Sequence, residues 1–86
     1  MRIARTERFK NAWQELGETE KKLVAKALQN LVDNIRYPAL RVKKIQGVKN
    51  IWEARASRLI RMTFQVQGDV IILRNIGKHD ETLKNP

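Results

Sequence analysis

The sequence of 86 residues contains no cysteine. This absence excludes a secreted scaffold held together by disulfide bonds, and it excludes a zinc site with thiolate ligands. Long apolar segments are also missing, since the longest wholly apolar run spans only residues 70–73. A membrane-spanning helix needs about 20 such residues, so we expect no transmembrane segment. The N-terminal residues lead into no apolar signal-peptide core, and we therefore expect a cytoplasmic protein.

Acidic residues are few. Nine Asp and Glu stand against eighteen Lys and Arg, which gives a formal net charge of +9. The excess is concentrated in residues 36–61, where eight basic residues and one acid give +7, whereas ten basic and eight acidic residues elsewhere give only +2. A concentrated basic segment of this kind is typical of a surface that binds phosphates or an acidic protein partner. The length predicts one domain, spanning residues 1–86.

Motifs for nucleotides and metals are absent as well. The glycines are isolated from one another, which excludes a P-loop and a dinucleotide-binding fingerprint. His79 is the only histidine, so a site with several histidine ligands is excluded. Asp80 and Glu81 are adjacent, lack other carboxylates at ligand spacing and lie among Lys and Arg, which disfavours Mg²⁺ or Ca²⁺. We expect neither a metal ion nor a cofactor.

The N-terminal part of the chain shows helical spacing of its apolar residues. After a short strand at residues 2–5, Thr6 is a good N-cap for a first helix. Gly17 is expected to end that helix in a left-handed conformation. Thr19 is expected to cap a second helix, which ends at Tyr37–Pro38 because the residue before proline disfavours the α conformation. These signals predict a two-helix hairpin.

The second half of the chain shows the alternation typical of strands. Residues 39–50 are expected to be irregular, and strands are predicted at about residues 51–55, 59–67 and 70–77. Gly68–Asp69 suits a two-residue hairpin turn with glycine first. This turn predicts three cross-strand pairs: Val66 with Ile71, Phe64 with Leu73, and Met62 with Asn75.

The loop between the first two strands decides which side chains share a face. A two-residue loop would turn Glu53 and Arg55 into the core, whereas a three-residue loop at 56–58 keeps both charges out of it. The longer loop places Glu53 directly across from Arg61. We therefore predict an α+β fold in which a small, mainly antiparallel sheet buries one face under the helices. The opposite, solvent-facing side would carry Glu53, Arg55, Arg61, Thr63 and Arg74.

Arginines and the single histidine are the candidates for chemistry. A guanidinium group donates two parallel hydrogen bonds to a phosphate and keeps its charge, which suits Arg55, Arg58, Arg61 and Arg74. The alternative is a solvated sheet face on which Arg61 simply pairs with Glu53. Histidine is the side chain best suited to proton transfer near neutral pH, and the alternative for His79 is a solvated loop residue.

The order of these segments resembles the RelE/ParE superfamily of type II toxin–antitoxin toxins. Two amphipathic helices are followed by VKKIQG at 42–47, IWEAR at 51–55, IRMTF at 60–64 and IGKHDE at 76–81, so the resemblance covers nearly the whole chain. It implies a small antiparallel sheet with helices on one face, similar to microbial ribonucleases. It also implies a toxin that enters the ribosomal A site, cleaves mRNA and is silenced by an antitoxin.

The resemblance also implies roles for individual residues. Arg61 matches the arginine with which ribonuclease members stabilise the scissile phosphate, and His79 falls where they place a basic or histidine catalytic residue. Glu53 and Arg55 match the Trp-Glu-x-Arg strand. Leu83 stands where many active members carry a tyrosine or phenylalanine, and the tail up to Pro86 is expected to leave little room for a terminal helix.

We therefore expect a metal-independent endoribonuclease that cleaves mRNA. Arg61 would stabilise the phosphorane with help from Arg55, and His79 would act as general acid or base. Glu53 would be the counterpart of the histidine or would orient Arg61. The RNA backbone would be held by six further basic residues: Lys43, Lys44, Lys49, Arg58, Arg74 and Lys78.

Two other functions stay open from the sequence. One is a ParE-like toxin that poisons DNA gyrase, and the other is a non-catalytic basic module that docks an antitoxin. The expected partners are an acidic, partly disordered antitoxin, mRNA and the ribosome. No membrane and no small-molecule cofactor are expected.

Overall fold

The computed structural model describes all 86 residues. Three helices and five strands follow one another along the chain: β1 (Arg2–Arg5), α1 (Glu7–Gln14), α2 (Glu18–Asp33), β2 (Lys43–Lys44), β3 (Trp52–Arg55), β4 (Ile60–Gln67), β5 (Val70–Lys78) and α3 (His79–Lys84). A short 3-10 turn, Pro38–Leu40, lies between α2 and β2. None of the helices combines the length and the apolar character that crossing a membrane would require.

The strands form one sheet in the order β1-β5-β4-β3-β2. β1 runs parallel to β5, and every other neighbouring pair is antiparallel. The core lies between the helices and the sheet. Helices α1 and α2 contribute Phe9, Val24 and Leu31 to it, and strands β4 and β5 contribute Phe64 and Leu73. This architecture confirms the predicted α+β class, with the helical hairpin on one face of a mainly antiparallel sheet.

The starts of α1 and α2 differ in how well the sequence predicts them. The hydroxyl of Thr6 accepts a hydrogen bond from the main-chain N–H of Phe9 at 3.1 Å, which confirms the predicted cap of α1. The predicted cap of α2 at Thr19 is wrong, because Gly17 is its N-cap. Gly17 has extended backbone (φ −72°), not the predicted left-handed conformation. The carboxylate of Glu20 accepts from the Gly17 N–H at 2.9 Å and so starts the helix earlier.

The end of α2 also comes earlier than predicted. The helix ends at Asp33, ahead of Tyr37–Pro38, and Asn34 has extended backbone (φ −159°). The side-chain oxygen of Asn34 accepts from the N–H of Arg36 at 3.0 Å. A short amide side chain that bonds the backbone two residues ahead favours a turn over a helix, and proline is not needed to end α2.

The β4–β5 hairpin keeps two of its three predicted pairs. Val66 lies across from Ile71 and Phe64 across from Leu73, as the Gly68–Asp69 turn predicts. The prediction that Met62 pairs with Asn75 is wrong, because Met62 lies across from Ile76. A β-bulge between the Phe64–Leu73 and Thr63–Asn75 pairs leaves Arg74 as an extra residue on β5. The bulge lets β5 place Ile76 in the core, where it is 3% exposed.

The β3–β4 hairpin keeps the predicted faces but not the predicted register. Arg55 lies across from Arg61 and Glu53 across from Thr63, so the predicted Glu53–Arg61 pair is wrong. The loop at 56–60 is longer than predicted and is closed by a hydrogen bond from the Ala56 N–H to the Ile60 carbonyl at 3.0 Å. A shift of two residues leaves every side chain on the same face, so burial alone does not detect it.

Two segments have more regular structure than predicted. Residues 39–50 include β2, whose Lys43 lies across from Glu53 and Lys44 across from Trp52. The C-terminal segment forms α3, although little room for a terminal helix was expected. Helix α3 packs on β4 and β5, and it brings His79 to the end of the sheet.

Candidate functional site

Two arginines meet on the sheet face opposite the core. Arg55 and Arg61 lie directly across from each other in β3 and β4, and both side chains are partly buried. Nε of Arg55 donates to the main-chain carbonyl of Ser57 at 3.3 Å, and Nη1 of Arg61 donates to the same oxygen at 2.9 Å. Like charges in this position repel each other, so the shared oxygen is needed to hold the two guanidinium groups together.

Arg61 is held by the loop and not by an acid. Its Nη1 also lies 3.2 Å from the carbonyl of Ile60 and 3.4 Å from that of Arg58. All three acceptors are main-chain oxygens, two in the β3–β4 loop and one at the first residue of β4. The other two nitrogens of the guanidinium group make no hydrogen bond to the protein. A guanidinium group that is fixed on one side and free on the other can receive a phosphate oxygen.

Glu53 does not neutralise this pair. Its side chain is buried (7% exposed for the residue), and its Oε1 lies 3.5 Å from Nζ of Lys43 on the neighbouring strand β2. The charge of Glu53 is therefore matched at the sheet edge, and Arg55 and Arg61 have no carboxylate in an ion pair. The arrangement concentrates uncompensated positive charge beside the β3–β4 loop.

Arg74 lies at the bulge and is already engaged. Its Nη1 donates to Oε1 of Gln65 at 2.7 Å, and its Nε donates to the main-chain oxygen of Pro86 at 3.1 Å. The hydroxyl of Thr63 donates to the same Pro86 oxygen at 2.9 Å. The C-terminal residues thus cover part of the face that was expected to be open to solvent, and Thr63 is fully buried.

His79 is the first residue of α3, directly after the last paired residue of β5. Its side chain is 53% exposed, and Nδ1 lies 3.2 Å from Oδ1 of Asp80. Arg61 pairs with Gly77 in the β4–β5 register, so His79 and Arg61 belong to the same end of the sheet. No hydrogen bond joins the two side chains, and the imidazole is accessible at this end of the sheet.

The position of α3 depends on a close approach to β5. A Cβ atom on Gly77 would lie 3.0 Å from Oγ1 of Thr82, a distance too short for an unstrained contact. Thr82 is 1% exposed, and its hydroxyl has no hydrogen-bond partner. Glycine at position 77, which lies across from Arg61, therefore allows α3 to pack closely against β5.

The remaining basic candidates lie around the site in different ways. Arg58 lies in the β3–β4 loop itself, next to the arginine pair, and its side chain is exposed. Lys43 is tied to Glu53, whereas three others are exposed and form no ion pair: Lys44, Lys49 and Lys78. No three His, Asp or Glu side chains come close enough together to hold a metal ion.

Two contributors were missed by reasoning from the sequence. Ser57 accepts from both arginines through its main-chain oxygen, which no residue pattern identifies, while its hydroxyl accepts from the Ile60 N–H at 3.2 Å and helps to close the loop. Arg41 follows the Pro38–Leu40 turn and lines the same surface depression as Arg55 and Arg58. The only sequence feature that points to Arg41 is its position in the basic segment at residues 36–61. Its neighbouring residues do not distinguish it from the lysines nearby.

Comparisons with known proteins support the fold. No protein-family model matches the sequence, and no curated protein matches it. Among solved structures, the isolated E. coli RelE toxin is similar, with a TM-score of 0.71 and 24% identity over 90% of this chain and 82% of that chain. YafQ from E. coli strain BL21(DE3) has a TM-score of 0.78 and 13% identity, covering 94% and 97%. The intact E. coli RelBE toxin–antitoxin complex matches with a TM-score of 0.72 and 23% identity, covering 91% and 95%.

These similarities identify the architecture as that of the RelE, YafQ and YoeB/ParE toxins. They confirm the fold that the resemblance of the sequence implies. The sequence identities are low, so the comparisons describe the fold alone. The arginine pair, the Ser57 contact and the position of His79 are therefore argued from the residues of this chain.

Proposed function

We propose that this protein is the toxin of a type II toxin–antitoxin system and cleaves mRNA on the ribosome as a metal-independent endoribonuclease. The observation that carries the proposal is the Arg55–Arg61 pair. Both guanidinium groups are fixed by the Ser57 carbonyl, neither is ion-paired, and Arg61 keeps two nitrogens free of protein partners. The fold, shared with RelE and YafQ, supports the same assignment.

Cleavage of RNA requires two proton transfers and the stabilisation of negative charge. The 2′-hydroxyl of the RNA attacks the adjacent phosphorus, and the 5′-oxygen leaves. One proton must be removed, another must be supplied, and the added negative charge on phosphorus must be stabilised. Arg61 would supply the last of these through its free nitrogens, with Arg55 as a second cation on the same phosphate.

His79 is the proposed general acid or base for one of the two proton transfers, and solvent water would exchange the other proton. Asp80 at Nδ1 would orient the ring and leave Nε2 to exchange a proton with the RNA. Glu53 is buried against Lys43 and does not reach Arg61, so we place it as a positioning residue for the edge strand β2 and not in proton transfer. The exposed basic residues Arg58, Lys44, Lys49 and Lys78 would hold the RNA backbone without reading its sequence. Lys43 and Arg74 are already engaged in contacts within the protein, and they would add positive charge to the same RNA-binding surface.

The proposed partners follow from charge and from the structural neighbours. The RelBE structure contains a toxin together with its antitoxin. We propose that an acidic, partly disordered antitoxin binds this chain too, since charge complementarity to a +9 protein would speed the encounter. The proposed place of action is the cytoplasm, where mRNA and ribosomes meet.

The test is induced expression in bacterial cells, with growth, protein synthesis and mRNA cleavage sites followed over time. The parent is expected to arrest translation and cut mRNA, whereas Arg61→Ala and His79→Ala are expected to do neither while remaining folded. Arg5→Ala is the matched control, because Arg5 is exposed on β1, at the opposite edge of the sheet from β2.

Three results would contradict the proposal in different ways. Growth arrest by both site variants at the level of the parent would show that the site is assigned wrongly. A DNA-damage response without translational arrest would favour a gyrase poison. Normal growth on expression of the parent would favour a non-catalytic module that binds an antitoxin.

A further inference from the structure

A shallow pocket of about 510 Å³ lies between the Pro38–Leu40 turn and the β3–β4 loop. Three arginine side chains line it, those of Arg41, Arg55 and Arg58, together with Ser57. No acidic residue lines the pocket. The turn and the loop are far apart in sequence, so the fold itself brings these three positive charges together.

None of the three arginines is neutralised within the protein. The ion pairs of the structure are Arg2–Asp69, Lys43–Glu53 and His79–Asp80, and none of them involves the pocket. Arg55 donates only to a main-chain oxygen, and the guanidinium groups of Arg41 and Arg58 donate to no protein acceptor. Mutual repulsion among unpaired cations around one depression favours the binding of an anion there.

The backbone at Arg41 adds a second, independent observation. Arg41 has a left-handed conformation (φ 47°, ψ 48°), which an L-residue with a Cβ atom adopts at a cost in free energy. The conformation is held by the turn, since the Arg41 N–H donates to the Pro38 carbonyl at 3.1 Å and Leu40 beside it is buried at 2% exposure. Glycine would adopt this conformation at a lower cost, so the turn itself does not call for an arginine at this position.

We infer that this pocket is a second phosphate subsite, in which Arg41 and Arg58 bind a phosphodiester group of the RNA strand next to the one held at Arg61. Arg55 lines the pocket and also shares the Ser57 oxygen with Arg61, so it connects the two subsites. The inference rests on the proposed function for the identity of the ligand, but the chemistry it requires is that of any phosphate.

The first experiment measures the affinity for a short RNA with 2′-O-methyl groups, which binds but cannot be cleaved by 2′-hydroxyl attack. Arg41→Gln is compared with Arg36→Gln, because Arg36 is also exposed, belongs to the same basic segment and does not line this pocket. Arg41→Gln is expected to weaken binding about 5- to 10-fold, the effect of one charge-assisted phosphate contact. Equal losses in the two variants would overturn the subsite, since bulk charge would explain both.

The second variant, Arg41→Gly, separates binding from folding. It is expected to lose affinity as Arg41→Gln does, while its Tm stays at or above that of the parent because glycine relieves the left-handed strain. A lower Tm for Arg41→Gly would overturn the strain argument and with it the inference. Loss of affinity in a protein that is no less stable cannot be attributed to misfolding.

A titration of the parent with inorganic phosphate, followed by NMR of the arginine Nε–H groups, tests the pocket without RNA. Shifts at Arg41 and Arg58 that saturate with phosphate are expected, and their absence would overturn the subsite. If the parent fails to cleave mRNA but these signals still respond, the proposed function fails and the phosphate subsite stands. If cleavage is present and Arg41→Gln behaves as Arg36→Gln, only the subsite fails.

Discussion

Arg55 and Arg61 lie directly across from each other on β3 and β4, and one main-chain oxygen, that of Ser57, accepts a hydrogen bond from each of them. A carboxylate in the same place would hold the pair more strongly but would cancel much of its charge. A neutral carbonyl orients the two guanidinium groups and leaves their charge available to an anion.

Replacement of Arg61 by lysine tests whether the shape of the group matters as well as its charge. Arg61→Lys keeps the positive charge but loses the planar fork that bonds the loop on one side and is free on the other. We expect the RNA cleavage rate to fall about 10- to 100-fold, measured on a purified RNA or on ribosomes. Arg2→Lys, at an exposed arginine that pairs with Asp69, is the control and should leave the rate unchanged. An unchanged rate for Arg61→Lys would show that a point charge is sufficient.

The salt dependence of RNA binding should distinguish free arginines from engaged ones. For single strands, the slope of log K against log salt is about −0.7 for each phosphate contact. Arg58→Gln should make the slope less steep by about 0.7, since Arg58 is exposed in the loop. Arg74→Gln should change it less, because that guanidinium group already bonds Gln65 and Pro86. A larger change for Arg74 than for Arg58 would contradict this ranking of the two residues.

The Lys43–Glu53 pair should contribute measurably to stability. Lys43→Met leaves the buried carboxylate of Glu53 without its cation, and we expect a loss of about 1 kcal/mol in the free energy of unfolding at low salt. The value is modest because the side chain of Lys43 is 70% exposed and the pair is partly screened. Urea unfolding measures it, and Lys44→Met, at the next position of β2, should be nearly neutral. Equal effects of the two substitutions would mean that the pair contributes nothing specific.

The buried hydroxyl of Thr82 is expected to cost stability. It has no hydrogen-bond partner, so Thr82→Val, which replaces the hydroxyl by a methyl group of similar size, should raise the free energy of unfolding by about 1 kcal/mol. Thr82→Ser, which keeps the hydroxyl and removes the methyl group, should lower it. A urea midpoint for Thr82→Val below that of the parent would show that the hydroxyl is satisfied in solution.

The sequence predicts the faces of the sheet better than its registers. Alternation places Trp52 and Ala54 on the core side and Glu53 and Arg55 on the other, and the structure agrees. Alternation does not distinguish two registers that differ by two residues, and this is why Glu53 was predicted across from Arg61. The deciding quantity is the length of the β3–β4 loop. It is closed by main-chain hydrogen bonds, which leave no mark in the residue pattern, and by one side-chain bond, from the Ile60 N–H to the hydroxyl of Ser57 at 3.2 Å.

The placement of the candidate site residues follows from the sequence only in part, for a related reason. Arg61, Arg55 and His79 follow from residue chemistry and from the resemblance of the segments, and the structure places all three toward one end of the sheet. The place of Arg41 beside Arg55 and Arg58 depends on a turn that packs beside a distant loop. Contacts of this kind are tertiary, so local propensity and spacing do not contain them.

The anchor of the arginine pair has a consequence for how the sequence can change. Every residue type carries a main-chain oxygen, so substitution at position 57 cannot delete the acceptor, whereas insertion or deletion within residues 56–60 would displace it. The position of that oxygen therefore depends on the number of residues in the loop and on the Ser57 hydroxyl, which accepts from the Ile60 N–H at 3.2 Å. We therefore expect a change in loop length to disturb the arginine pair more than a substitution at position 57 does.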